Sequence, residues 1–74
     1  MLKRKMLRYK VMEKHIELVR TGKFKQAQLL LQLLRKGKIK LYLDDDSYAV
    51  EILLEEVGCR FNYDRRGYTA IAYL

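Results

Sequence analysis

The chain predicts an α+β domain: a helical hairpin followed by strand, helix, strand and strand, with a small antiparallel three-stranded sheet. Three observations carry this. The first 36 residues repeat their apolar side chains at helical spacing, while "KIKLYL" and the closing "CRFNYDRRGYTAIAYL" alternate instead. Glycines at 22, 37 and 58 stand where each helical pattern stops.

In the opening segment Leu2, Met6, Tyr9, Met12, Ile16 and Val19 recur at steps of four, three, three, four and three, the stripe of an amphipathic helix. That stripe is expected to face the core. Leu7, Val11 and Leu18 widen it, and Lys3, Arg4, Lys10, Lys14 and Glu17 fall away from it. Thr21-Gly22-Lys23 closes the helix, because glycine enters the left-handed conformation without a steric penalty. A second helix runs from about Phe24 to Lys36, with Phe24, Ala27, Leu30, Leu31 and Leu34 inward. Leu29 and Leu33 are a surplus, available to the sheet or to a second subunit.

"KIKLYL" alternates Ile39, Leu41 and Leu43 against Lys38, Lys40 and Tyr42, as a half-buried strand does. It stops at Asp44-Asp45-Asp46-Ser47. A carboxylate there accepts hydrogen bonds from the free amides of a helix start, and neighbouring acids favour the positive end of its dipole. A third helix is therefore predicted from about Asp45 to Val57, buried through Ala49, Val50, Ile52, Leu53, Leu54 and Val57. The last sixteen residues predict a hairpin turning at Asp64-Arg65-Arg66-Gly67, with a type I turn and a glycine bulge. In that register Asp64 faces Tyr68, Phe61 faces Ile71, and Cys59, Phe61, Tyr63, Thr69, Ile71 and Tyr73 share the side toward the core. A two-residue turn would exchange the faces of the final strand.

Seventy-four residues form a single domain, of a size that buries only ~60% of the unfolded chain's surface. Half of the residues are apolar and proline is absent, a composition that folds. The lone Cys59 forms no internal disulfide and, with the lone His15, falls short of a zinc ligand set, which fits a reducing cytoplasm. No apolar run follows the basic start, so neither a secretory signal nor a transmembrane segment is expected.

Enzymatic chemistry finds no footing in the residue pattern. There is no glycine-rich phosphate loop, no nucleophile motif and no ligand cluster at metal spacing, so no catalytic residue, metal or cofactor is assigned. Helix capping accounts for Asp44-Asp45-Asp46 better than metal binding does. His15 has no orienting acid beside it.

Charge is the informative feature. Residues 1–40 carry thirteen Lys and Arg against two Glu, for +11, and residues 41–74 carry three Arg against seven acids, for −4, giving the net +7. Such a layout points to a polyanionic partner. Lys3, Arg4, Lys5, Arg8, Lys10 and Lys14 on the first helix, with Arg20, Lys23 and Lys25 at the helix turn, are the candidate contacts to nucleic-acid phosphates, DNA or RNA alike. Arg65 and Arg66 at the hairpin tip can reach a phosphate or a narrow minor groove. Tyr42 and Tyr68 fall with Lys38, Lys40 and Arg60 on the less buried sheet face, where aromatics can stack on bases or anchor a protein; the preferred expectation is that the first two helices cover that face, with Ala70 and Ala72 small because a helix lies close. The expected function is a small non-enzymatic nucleic-acid-binding regulator or accessory factor. The alternative is a compact inhibitor or adaptor, of the kind phages and mobile elements encode, docking on an acidic protein surface. A homodimer through the second helix or a strand edge is also expected.

Overall fold

The computed structural model describes residues 2–64, 66 and 69–74, with side chains from residue 5 onward. Its elements keep the predicted order: α1 (Leu2–Arg20), α2 (Phe24–Lys36), β1 (Lys38–Leu41), α3 (Asp45–Val57), β2 (Arg60–Asp64) and β3 (Thr69–Tyr73). The sheet is antiparallel, in the order β1-β3-β2.

Local chemistry sets the helix boundaries. Gly37 takes φ 81°, and its N–H bonds to Leu33 O at 2.8 Å, closing α2 one residue before β1 begins. At the other junction the Asp44 carboxylate accepts from Ser47 N at 2.7 Å, the N-cap that the acidic run predicts for α3. Ser47 is itself buried; its hydroxyl donates to the second Asp44 oxygen and accepts from Tyr42 N at 3.1 Å.

α1 turns the opposite side to the core from the one its longest stripe predicts. Val11 and Leu18 are buried and Leu7 packs against them, while Met6, Tyr9, Met12, Ile16 and Val19 are exposed. The reason lies in the residues at the gaps. Leu7, Val11 and Leu18 share their face with Lys14 and His15, which look polar in sequence but are accommodated. His15 Nδ1 donates to Ala27 O at 2.8 Å, and Lys14 keeps its ammonium between Glu17 and Glu56. A helix that is apolar on two opposite sides has one period and two possible inner faces.

α2 fills the centre. Ala27, Leu30, Leu33 and Leu34 are buried, each large aliphatic side chain contributing roughly 1.5–3 kcal/mol. Phe24, expected inward, is exposed, and Leu33, expected as surplus, is fully buried. In α3 the inner residues are Ser47, Val50 and Leu54, whereas Ile52 stays exposed. Leu43, beyond the end of β1, is also exposed.

The hairpin register differs by one residue from the predicted one. Asp64 pairs with Thr69, Tyr63 with Ala70, Phe61 with Ala72 and Arg60 with Tyr73. The connection spans 65–68, and the predicted turn geometry at Arg65, Gly67 and Tyr68 lies outside the described residues. The slip sends Ala70 and Ala72 inward, into the core that holds Leu30, Leu33, Val50 and Leu54, and turns Ile71 and Tyr73 outward. α2 and α3 pack on β1, whose Ile39 and Leu41 already fill that layer with Leu30, Leu33, Val50 and Leu54, so the central strand contributes small residues there and this outweighs gathering its large ones. The inner face of the sheet thus carries Ile39, Leu41, Ala70, Ala72 and Phe61, with Cys59 buried just before β2.

Candidate functional site

The same register builds the opposite sheet face. β1 alternates exposed and buried residues from Lys38 to Leu41, so Lys38 and Lys40 point away from the helices. Pairing carries that side across β3 and β2. Lys38 lies beside Tyr73 and Tyr73 beside Arg60, making one row of cation, aromatic and cation; Lys40, Ile71 and Asn62 form the next. α2 and α3 pack on the sheet from the other side and α1 packs on them, so the expectation that the first two helices cover the Lys38 and Lys40 face is overturned. Ala70 and Ala72 lie in the core, on the side away from these lysines.

An open groove of about 860 Å³ continues this face around the free edge of β1. Lys25, Leu29, Gln32 and Lys36 of α2 form one wall, Lys38, Lys40 and Tyr42 the other, and Asp44, Asp45 and Asp46 close the end. The Lys40 ammonium sits 5.6 Å from the Tyr42 ring centroid, a cation–π distance that holds Tyr42 beside the strand. Among the described residues, no carboxylate lies within ion-pair distance of Lys25, Lys36, Lys38, Lys40 or Arg60.

The residues expected to contact phosphates are placed in several different environments. Arg8 and Lys10 stand two positions apart and so on different sides of α1. Arg8 Nη2 donates to Leu34 O at 3.0 Å, and Lys14 lies 3.9 Å from Glu17 and 4.0 Å from Glu56. Lys5, Lys10, Arg20 and Lys23 are exposed, and Lys25 belongs to the groove. Arg66 is exposed at the hairpin tip, where its N–H bonds to Asp64 Oδ1 at 3.0 Å. The side chains of Lys3 and Arg4, and Arg65 as a whole, lie outside the described residues. Lys36 and Tyr73 were not singled out as contacts by the sequence reading. The alternation in "KIKLYL" places Lys38 and Lys40 on one side, but the one-residue hairpin slip hid Tyr73 and Ile71.

Two further reactive groups have structural surroundings. Burial pushes the Cys59 thiol up to about 11, which keeps it protonated at neutral pH. His15 is tied to α2 through Ala27. Among the described residues, no helix is long and apolar enough to cross a membrane. Comparison with protein-family models, with curated proteins and with solved structures returns no match.

Proposed function

We propose that the protein is a small non-enzymatic nucleic-acid-binding protein that uses the outer sheet face and its adjoining groove, and that its preferred form is single-stranded. The row Lys38, Tyr73 and Arg60 carries this reading. Single strands are held by cations that follow the phosphates and by aromatic rings on which bases stack without regard to sequence. Half-buried Tyr73 between two cations supplies both parts, and Lys40, Lys36 and Lys25 extend the positive surface toward α2. Arg20 and Lys23, exposed at the hairpin turn, add non-specific attraction.

Fluorescence anisotropy with labelled single-stranded DNA, single-stranded RNA and duplex DNA tests this. Binding is expected at low salt and falls steeply as salt rises. Replacing Lys36, Lys38, Lys40 and Arg60 with Gln together weakens binding and flattens the salt dependence by about 0.7 logarithmic units per lost single-strand contact. Tyr73→Ala weakens single-strand binding by about tenfold and duplex binding less. Absence of binding to all three polymers at low salt overturns the proposal.

A second reading, docking of a protein partner, is favoured by the outer face of α1. Met6 and Tyr9 are 61% and 66% exposed there, with Met12, Ile16 and Val19 beside them. A contiguous apolar stripe of this kind commonly marks an interaction surface. A homodimer is one form of it, although Leu30, Leu33 and Leu34 of α2 are buried in the core of this chain.

A further inference from the structure

We propose that the free edge of β1 binds an extended acidic peptide, which joins the sheet as a fourth strand in the groove between β1 and α2. The hydrogen-bond phase of the sheet leads to this site. Leu74 donates its N–H to Gly37 O at 2.9 Å. Antiparallel ladders alternate bonded and non-bonded pairs, so Ile39–Ala72 and Leu41–Ala70 are the bonded pairs in the register. The N–H and C=O groups of Lys38 and Lys40 therefore point outward, away from β3. Among the described residues no hydrogen bond outside the sheet reaches them. The next outward N–H, that of Tyr42, is already held by Ser47 Oγ, which ends the available edge. Two donors and two acceptors in a row form the main-chain template that strand addition uses.

α2 completes the site. Lys25, Leu29, Gln32 and Lys36 recur at steps of four, three and four along the facing wall, a basic and apolar stripe parallel to the groove. Charge selects the occupant. A second copy pairing antiparallel through this edge sets Lys38 against Lys40 of the other copy, and like charges directly opposite are destabilising. An acidic strand makes the same positions attractive. Asp44, Asp45 and Asp46 lie at the end toward which β1 runs, and they favour a free amino terminus there. The peptide therefore runs antiparallel to β1. This site goes beyond the nucleic-acid reading but shares Lys38 and Lys40 with it, so peptide and oligonucleotide compete.

The test uses the full chain and a heptapeptide of alternating Glu and Val, free at its amino terminus and labelled at its carboxyl terminus. Glu then faces Lys38 and Lys40, and Val faces Leu29. Lys40→Ala removes one charge, whereas Lys40→Pro removes that charge and the outward N–H, leaving the ladder bonds of Ile39 and Leu41 in place. Lys40→Ala is expected to weaken peptide binding severalfold, and Lys40→Pro by about tenfold more. Equal affinity of the two variants reduces the attraction to charge and overturns the proposal. The wild-type chain is also titrated with two peptides N-methylated in opposite alternate phases, which removes any dependence on how Lys40→Pro folds. One phase is expected to bind and the other to lose about tenfold; equal binding overturns the proposal. If an oligonucleotide binds and the heptapeptide does not, the groove belongs to nucleic acid alone. If the peptide binds and no oligonucleotide does, the strand site stands and the nucleic-acid reading falls.

Discussion

Arg8 of α1 donates a hydrogen bond from Nη2 to the main-chain oxygen of Leu34, at 3.0 Å, in the last turn of α2. The carbonyls at a helix end lack intrahelical donors and carry the negative end of its dipole, so a cation there both caps and attracts. A residue that reads in sequence as one more phosphate contact is thereby a fastener between two helices. Arg8→Ala is expected to cost about 1–2 kcal/mol, lowering the melting midpoint by roughly 4–8 °C per kcal/mol in a domain of this size. Its salt-dependent binding to oligonucleotides should change little beyond the loss of one surface charge. Thermal melts and anisotropy on the same variant separate the two roles.

The two faces of α1 make opposite predictions for substitutions that look alike. Leu18→Ala, on the buried side, is expected to cost about 2–4 kcal/mol, through lost transfer energy and the cavity it leaves. Ile16→Gln, on the exposed side, is expected to stay within about 0.5 kcal/mol of the wild type. Urea denaturation measures both. The reverse ordering would return the longer stripe to the core.

The register of the hairpin is testable by size. Ala72 is fully buried beneath the helices, so Ala72→Leu overpacks the core and is expected to cost about 1–3 kcal/mol. Ile71→Thr changes a half-buried residue on the outer face, keeps its β-branched shape, and should cost less than about 1 kcal/mol. With Phe61 opposite Ile71, as the turn pattern predicts, the two effects would exchange.

Cys59 gives a pH dependence. Its thiol is raised by burial from 9.0 to about 11 in the folded chain, so the unfolded chain loses this proton first. The stabilisation from keeping the thiol neutral is complete below pH 9 and is lost as pH rises toward 11, amounting to roughly 3 kcal/mol. Cys59→Ala should remove this alkaline slope from the stability profile. An unchanged slope in Cys59→Ala would assign the alkaline loss to other groups.

The element order was legible because its signals are local. Gly37 and Gly58 end their helices through the left-handed backbone each adopts at the C-cap, and Asp44 starts α3 by bonding an amide three residues away. None of these depends on distant parts of the chain. The outward direction of Lys38 and Lys40 was legible for the same reason, since strand alternation settles it within four residues.

The inner side of α1 and the hairpin register were not local questions. α1 offers two apolar sides. The choice fell to the one whose polar members, His15 and Lys14, find partners on α2 and α3 in Ala27 and Glu56. The final strand offers two faces, and the one bearing Ala70 and Ala72 turned inward, where Leu30, Leu33, Val50 and Leu54 of the helices and Ile39 and Leu41 of β1 already fill the core. Tyr73 joined Lys38 and Arg60 only as a result of that packing. Periodicity assigns a residue to a stripe; which stripe is buried depends on the shape and hydrogen-bonding groups of whatever packs against it, and those come from elsewhere in the chain.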